Sequence, residues 1–441
     1  MALIIERARI ADLGGTCHPS GYLLIEGDRI AATSSGPAPE VAGAERIDAG
    51  GRLVTPGLVN AHAHLYSSLA RGMPLPHFSP HSFREILDQL WWKLDRALDL
   101  DTVYQSALVG AVGHLRCGVT SLFDHHASPA AITGSLSQLK RAISQVGLRA
   151  DLCYEVTDRG GEREREEGIA ENVRFAREER EGGHFAAHMG LHASFTLSDE
   201  TLTRAGEAAA PLKLPFHIHL AEGKEDPLDA LHQHGVRTAE RLDRFGILTE
   251  GTLLIHGVHL AGAELALLAQ RPASVIHNPR SNMNNAVGSA DLPWMLHIGI
   301  PVGLGNDGFS NNMFTEMSAA YLVHKHAAGD PRTLPADRVV EMAWANNARI
   351  ARTFFPSLGP AFGTLALGAP ADIILVDYDP PTPLSAGNLP WHILFGIDGT
   401  GVDTTIVAGR ILMRRREIKT LDEPAIMARA RQLAANLWQR I

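Results

Sequence analysis

The stretch RLVTPGLVNAHAH, residues 52–64, is an apolar run that ends in two histidines. Residues 52–60 have the composition of a buried strand. Side chains two residues apart on an extended chain point the same way, so His62 and His64 share one side of it. The pair is a candidate for two ligands of one metal ion. The alternative is two polar residues at the frayed end of a strand.

Seven further apolar runs follow, separated by longer segments that mix polar and apolar residues. This alternation predicts parallel pairing, because parallel strands need helical crossovers. Eight strands in this order favour an α/β fold of the (β/α)8 TIM-barrel type over a doubly wound open sheet, since no GxGxxG fingerprint follows an early strand. The predicted strands are residues 52–60, 119–125, 149–156, 186–194, 214–222, 252–260, 273–281 and 301–308.

The two ends of the chain differ from this central pattern. They contain short apolar runs with glycine and aspartate turn signals, such as GYLLIEGDRI near the start and FGTLALGAPADIILV near the end. We expect residues 1–55 and 362–441 to form one small β-sandwich domain with a terminal helix. The barrel, residues 56–361, is then inserted between the two halves of that domain.

The overall composition narrows the class of protein. The chain has 441 residues, a net charge of -9 and 22 histidines, and histidine is the commonest metal ligand. The acidic balance argues against a nucleic-acid partner. Glu6 and Arg7 come too early for a signal peptide, no stretch reaches the ~20 apolar residues of a membrane span, and the cysteines form no disulfide framework. We expect a cytoplasmic protein without a membrane partner.

Four predicted strands carry ligand-type or acid–base residues at their carboxyl ends, which form a single face in a barrel. Each residue alone has a structural explanation, such as the turn that an NDG sequence favours. Their coincidence on one face favours a functional site. The residues are His62 and His64 after the first strand, His217, His219 and Glu222 after the fifth, His256 after the sixth and Asp307 after the eighth.

These residue types indicate a particular chemistry. Three imidazoles and one carboxylate suit a single divalent metal ion, Zn²⁺, with Fe²⁺ as the alternative. Glu222 lies just beyond His219, where its side chain can reach the barrel mouth without being a ligand. That position suits a carboxylate that carries protons between a bound water and a substrate.

In combination, the motifs resemble the amidohydrolase superfamily. Within it they are most similar to the metal-dependent deaminase and chlorohydrolase (ATZ/TRZ-like) branch, and there to SsnA-type aminohydrolases. The resemblance covers nearly the whole chain, including the split β domain. The motifs that carry it are PGLVNAHAH, FDHHAS, GLHASFTLSDETL, HIHLAE, LLIHGVHL, VIHNPRSNMNN and VGLGNDG.

The resemblance implies a hydrolase of carbon–nitrogen bonds other than peptide bonds. Its substrate would be a small planar heterocycle, an aminated purine, pterin, pyrimidine or triazine, and its assembly a homo-oligomer. The fourth strand ends in GLHAS without the lysine of binuclear members, so one metal is expected. The implied residues are His62, His64, His219 and Asp307 as ligands, Asp307 and Glu222 as proton acceptors, Glu222 as shuttle, His256 beside the developing oxyanion and His192 at the substrate.

Two other readings of the function stay open. A hydrolase of a ring C–Cl bond or of a cyclic amide uses the same kind of activated water. A catalytically silent barrel that serves as a binding protein belongs to another class, and its mark would be a lost ligand or a lost Glu222.

The connection from Asn60 to Val119 is long for a barrel loop, and long loops in compact domains are commonly functional. A predicted helix within it carries an apolar stripe that reads as a packing face. Trp92 lies off this stripe, where it either stacks on a flat substrate or lies on the surface. Of His125 and His126 after the second strand, we take His125 as the candidate substrate contact. The stripe is Phe83, Leu87, Leu90, Trp91, Leu94 and Leu98.

Overall fold

The computed structural model describes residues 2–179 and 183–441. Its strands belong to one sheet that both chain ends share and to a ring of parallel strands between them. In chain order the strands are β1 (Ala2–Ala11), β2 (Cys17–Glu26), β3 (Arg29–Ser35), β4 (Glu45–Asp48), β5 (Leu53–Pro56), β6 (Leu58–Ala63), β7 (Val119–His126), β8 (Arg149–Tyr154), β9 (Phe185–Ala187), β10 (Met189–Ala193), β11 (Phe216–Leu220), β12 (Leu253–His256), β13 (Ser274–His277), β14 (Val302–Leu304), β15 (Ile373–Val376), β16 (Val402–Val407), β17 (Arg410–Arg414) and β18 (Glu417–Ile418).

Strands β6 to β14 form the barrel. Each of the eight predicted strands corresponds to at least one of them, and the first also includes β5, which leads into the barrel. They pair in parallel as β6-β7-β8-β9 and β10-β11-β12-β13-β14. Parallel bridges between Ala63 and Asp307 and between Val156 and Leu191 join the two groups. The ring is therefore closed, and the predicted TIM-type fold is confirmed.

Helices surround this ring and connect its strands. They are α1 (Phe83–Ile86), α2 (Trp92–Ala97), α3 (Leu100–Arg116), α4 (Ser135–Val146), α5 (Gly161–Glu178), α6 (Asp199–Ala209), α7 (Glu225–His234), α8 (Thr238–Arg244), α9 (Gly262–Leu268), α10 (Pro279–Asn284), α11 (Leu292–His297), α12 (Met313–Ala328), α13 (Ala336–Glu341), α14 (Asn347–Phe354), α15 (Leu389–Gly396) and α16 (Glu423–Trp438). None of the helices described is both long and apolar enough to cross a bilayer.

Helix α3 illustrates how local sequence defines these elements. It begins at a capping box, in which Asp99 accepts the N–H of Thr102 at 2.8 Å and the Thr102 hydroxyl accepts the N–H of Asp99. It ends before Gly118, whose φ of +80° suits glycine. Its buried face packs against α4 and the barrel, which places β7 beside β6.

The first predicted strand, residues 52–60, is divided between two sheets, which corrects its assignment to the barrel alone. Strand β5 pairs with β1 and β15 in the shared sheet, whereas β6 pairs with β7 in the barrel. Gly57 separates them. A β-carbon at Gly57 would lie 2.3 Å from Cγ2 of Thr120, so only glycine allows the chain to pass so close to β7.

The sheet shared by the chain ends has the order β18-β17-β16-β15-β5-β1-β2-β3, with β4 paired to β1. It encloses a separate apolar core that includes Ile5, Ile25, Val54 and Ile373. The sandwich layering and the boundaries after residues 55 and 361 stay predictions.

A buried ion pair ties the shared sheet to the barrel. Arg149 begins β8, Asp372 precedes β15, and both side chains are at most 5% exposed. Asp372 also accepts the backbone N–H of Ala408 at 2.8 Å. This ion pair connects the barrel to the shared sheet, so its loss is expected to destabilise the junction between them.

We expect Arg149→Ala to lower the free energy of unfolding by about 3–5 kcal/mol, because it leaves the buried carboxylate of Asp372 unpaired. Arg338 and Glu341 form a matched exposed pair, with N···O 2.8 Å and side chains 60% and 47% exposed. Arg338→Ala should cost less than about 1 kcal/mol. Urea denaturation measures both, and equal midpoints for the two variants would contradict the assignment.

Candidate functional site

Predicted ligand residues from three strands converge at the carboxyl end of the barrel. His62 and His64 lie at the end of β6, His219 lies in β11 and Asp307 follows β14. Nε2 of His64 lies 3.3 Å from Nε2 of His219 and 3.4 Å from Oδ1 of Asp307. Ligands of a tetrahedral zinc ion, at 2.0–2.1 Å from the metal, are about 3.3–3.4 Å apart. The observed distances have the spacing of such a set.

Backbone carbonyls orient two of these imidazoles. Nδ1 of His64 donates to the carbonyl of His125 at 2.6 Å, and Nδ1 of His219 donates to the carbonyl of His192 at 2.9 Å. With the proton on Nδ1, the lone pair of each Nε2 faces the shared centre. Metal-binding histidines commonly have this arrangement.

The ring of His62 has a different partner. Its Nδ1 lies 2.9 Å from Nε2 of His217, and its Nε2 is buried without a hydrogen-bond partner among the described residues. His125 stacks on His217 with ring centroids 4.4 Å apart. An unpaired buried nitrogen is unfavourable unless a bound group satisfies it, and a metal ion at this point would do so.

Burial also sets the charge of the cluster. It lowers the pKa values of His62 and His219 well below the usual histidine value, and the neighbouring imidazoles lower them further. Burial would raise the pKa of Asp307, but the His64 and His256 rings outweigh it, and that pKa is lowered. Neutral imidazoles beside an ionised carboxylate are the protonation states that bind a metal.

Glu222 and His256 lie together beside these residues. Oε2 of Glu222 is 3.3 Å from Nε2 of His256, which is 3.6 Å from Oδ2 of Asp307. Asn285 donates to Oε1 of Glu222 at 3.1 Å, and Oδ1 of Asn282 accepts Nδ1–H of His256 at 2.7 Å. Burial and the nearby Asp307 raise the pKa of Glu222 well above its usual value. Such a carboxyl can hold a proton near neutral pH.

The backbone is strained at two of these positions. His256 has φ +76° and Asp307 has φ +58°, in the left-handed region that few residues other than glycine adopt. His256 ends β12, and Asp307 lies in the loop after β14, which ends at Leu304. Strained conformations of this kind cluster at functional sites, where the surrounding structure maintains them.

A cleft above this cluster holds about 780 Å³ of open space, including its solvent-filled mouth. Aromatic side chains from the long loop after β6 and from the loops after β10 and β14 form much of the wall. The lining residues are His64, Tyr66, Ser67, Phe83, Leu87, Trp91, Trp92, Asp95, Glu155, His192, Ala193, Phe195, His219, Glu222, Gly223, Asp226, Ser281, Asn285, Asp307, Gly308 and Phe309.

The apolar stripe of the loop helix packs as predicted, and part of it also lines the cleft. Phe83 and Leu87 are buried in a small apolar cluster and Leu94 lies in the main core, while Phe83, Leu87 and Trp91 also form cleft wall. A π-helical turn, Leu87–Trp91, lies between α1 and α2. Periodicity predicts an apolar face correctly, but it does not distinguish a core from a cleft wall.

The three candidate substrate contacts differ in position. Trp92 and His192 both line the cleft, with ring centroids 6.1 Å apart. The guanidinium groups of Arg84 and Arg159 lie over the Trp92 ring at 4.4 and 4.7 Å, so cations already occupy the ring surface. His125 is fully buried beneath the cluster and is absent from the cleft wall. Its position favours support of the cluster over contact with a substrate.

Three acidic wall residues are not among the site residues predicted from the sequence. Asp95 lies in α2, Asp226 lies in α7, and Glu155 follows β8. Burial raises the pKa of Glu155 well above its usual value. The rule that selected the other site residues, a polar side chain at the carboxyl end of a barrel strand, also applies to Glu155. Asp95 had no such signal, because helical position alone does not predict which side chain reaches the cleft.

Known proteins resemble the chain along its length. The amidohydrolase family profile matches residues 53–412. The 5-methylthioadenosine/S-adenosylhomocysteine deaminase of Desulforudis audaxviator is 32% identical over 100% of both chains. The 5'-deoxyadenosine deaminase of Methanothermobacter thermautotrophicus is 33% identical over 99% of both.

Solved structures have the same fold. The adenosine deaminase of Xanthomonas campestris with bound zinc has a TM-score of 0.85 at 23% identity, over 99% of this chain and 98% of that one. The atrazine chlorohydrolase TrzN of Arthrobacter aurescens, complexed with zinc, has a TM-score of 0.81 at 19% identity, over 98% and 100%. At these identities the likeness is one of fold.

The position of the paired tryptophans gives a fluorescence prediction. Adenosine, used as an aromatic probe, should quench part of the intrinsic emission, because Trp91 and Trp92 line the cleft. Trp92→Phe should reduce that quenching. Trp391→Phe is the control, since Trp391 is 44% exposed in α15, outside the cleft. An unchanged quench in Trp92→Phe with a reduced one in Trp391→Phe would place the probe elsewhere.

Proposed function

Since the chain belongs to the amidohydrolase family, we propose that it is a metal-dependent hydrolytic deaminase of an amino-substituted N-heterocycle. One observation carries this proposal: the carboxyl of Glu222 lies beside His256 and Asp307 on the floor of an aromatic-walled cleft. Relatives that match the whole chain are named as deaminases. The reaction replaces an amino group on a ring carbon by oxygen and releases ammonia.

His62, His64, His219 and Asp307 would hold one divalent ion. Zinc fits the donor set, and Fe²⁺ is the alternative. The ligand spacing and the partnerless Nε2 of His62 support this assignment. The ion supplies one thing, an acidified water that serves as nucleophile at neutral pH.

The proton steps belong to Glu222, with Asp307 as a second acceptor. Glu222 takes a proton from the attacking water and delivers it to the ring nitrogen next to the reacting carbon. Asn282 orients the His256 ring through Nδ1, and with a proton also on Nε2 the ring donates a hydrogen bond to the oxygen that develops negative charge. The mutual distances of these groups support the assignment.

The relatives' names point to the first substrates to test. They are adenosine, 5'-deoxyadenosine and 5'-methylthioadenosine, all aminated purine nucleosides. The aromatic side chains of the cleft suit a planar ring. Ammonia release from metal-replete protein tests the proposal, and release from none of these and no other aminated heterocycle would contradict it. The cytoplasmic location and the homo-oligomer stay predictions.

Substitution of a ligand should remove the metal. We expect His64→Asn and His219→Asn to retain less than about a tenth of an equivalent after dialysis, because a missing ligand lowers affinity by orders of magnitude. Mass spectrometry of the metal content measures this.

His297→Asn is the matched control, since His297 ends α11 outside the cluster. It should keep about one equivalent, as expected for a mononuclear site. Full retention of metal in both ligand variants would overturn the assignment.

Glu222→Gln should lower kcat by about 10²–10⁴, because glutamine cannot carry a proton. The amide oxygen can still accept from Asn285, so the fold and the metal content should persist. Glu250→Gln, at an exposed carboxyl before β12, is the control and should keep full activity. Near-normal turnover of the metal-loaded Glu222→Gln protein would show that another group moves the proton.

A further inference from the structure

Glu155 is a buried carboxyl in the cleft wall that the proposed reaction does not use. It follows β8, and its backbone N–H donates to the carbonyl of His126 at 2.7 Å, which fixes its place on the barrel rim. The residue is 4% exposed and its side chain lines the cleft.

Among the residues that the structure describes, the carboxyl of Glu155 has only long contacts with basic nitrogens. These are Nδ1 of His125 at 3.4 Å and Nδ1 of His219 at 3.6 Å. The second of these already donates to the carbonyl of His192. Nδ1 of His125 is buried without a hydrogen-bond partner in the described part of the chain. The carboxyl of Glu155 can therefore accept a hydrogen bond from a group that enters the cleft.

The surrounding charges do not satisfy Glu155 either. Arg159 is the guanidinium on this wall, and its Nη2 donates to Oδ2 of Asp95 at 2.7 Å. Oδ1 of Asp95 is itself buried and without a partner among the described residues. Nε of Arg159 and Nε1 of Trp92 are likewise buried without partners among the described residues, so this wall offers both donors and acceptors, and the carboxyl of Glu155 is an acceptor that lies close to the predicted metal ligands.

The position of Glu155 relative to the predicted metal ligands indicates which part of a substrate it would contact. Ligand atoms of His64, His125, Glu155 and His219 all lie within 4.8 Å of one another. A carboxyl so close to the reacting centre meets the ring that reacts. A distant substituent of the substrate would extend toward the cleft mouth instead.

We propose that Glu155 is a specificity-determining residue that accepts a hydrogen bond from a ring N–H of the substrate. This inference rests on the proposed deaminase function and narrows its substrate class. An aminated heterocycle with a lactam or other ring N–H, as in guanine or cytosine, complements the wall. A ring whose nitrogens are all acceptors or substituted leaves the carboxyl unpaired.

The test uses matched compounds that differ by one N–H. These are guanine with 1-methylguanine and cytosine with 1-methylcytosine, and adenosine is the reference without a ring N–H. Ammonia release gives kcat and KM, and thermal shift reports binding of the same compounds. Glu155→Gln keeps the shape of the side chain. The control is Glu171→Gln, a carboxyl equally buried in α5 that accepts from Gly134 and Leu136 and lies outside the cleft.

The wild-type protein should favour the N–H member of at least one pair by on the order of 10-fold in kcat/KM, as expected for one hydrogen bond without counting on a charge at Glu155. Glu155→Gln should raise KM for that member and abolish the preference, with metal content unchanged. Glu171→Gln should keep the preference. Equal KM values for wild type and Glu155→Gln, or no preference in the wild type, would overturn the inference.

Failure of the proposed function has a different signature. Metal-loaded wild type and Glu171→Gln would then release no ammonia from any compound. Thermal shift still decides the role of Glu155 in that case. A thermal shift with guanine or cytosine that is lost in Glu155→Gln would support the role of Glu155. No shift in the wild type, or an equal shift in both proteins, would refute that role.

Discussion

The seam between β6 and β14 is the constraint on which the site depends. The carbonyl of His62 accepts the N–H groups of Asn306 and Asp307 at 3.0 and 3.1 Å, and His64 donates its N–H to the carbonyl of Asp307 at 3.2 Å. These bonds join the first barrel strand to the last. They place the carboxylate of Asp307 beside two imidazoles that lie some 240 residues earlier in the sequence.

Neighbouring residues reinforce the seam from behind. A β-carbon at Gly305 would lie 2.8 Å from Cβ of His62, so only glycine allows β14 to approach so closely. Asn347 donates to the carbonyls of Val59 and Leu304, each at 2.8 Å, and so bridges the two strands. These hydrogen bonds surround Asp307, so the left-handed backbone there can be maintained by its surroundings.

Much of this arrangement follows from the sequence, and the exceptions have physical causes. Alternation along a strand predicts that His62 and His64 point the same way, and barrel topology predicts that His219 and Asp307 come near them. The sequence does not reveal that Gly57 divides a continuous apolar run between two sheets, because the reason is a close approach to Thr120.

Helical periodicity has a similar limit in the long loop. It predicts that Phe83 and Trp91 lie on one apolar face of the helix. A core and an aromatic cleft wall contain the same residue types, so the pattern does not distinguish them. Glu155 was overlooked because one acidic residue after a strand is ordinary in isolation. Its meaning depends on the neighbouring side chains, which only the folded chain specifies. His125 is the converse case, a promising polar residue that the fold encloses beneath the cleft.

The shared sheet has a consequence for biosynthesis. Strand β5 lies between β1, which leaves the ribosome early, and β15, which begins at Ile373. The edge of β5 that pairs with β15 therefore stays open until most of the chain has been made. An unpaired strand edge is a template for intermolecular pairing, and contacts between distant segments form slowly. Translation speed late in the message, and any chaperone that covers this edge, should therefore govern how much of the nascent chain reaches the folded state.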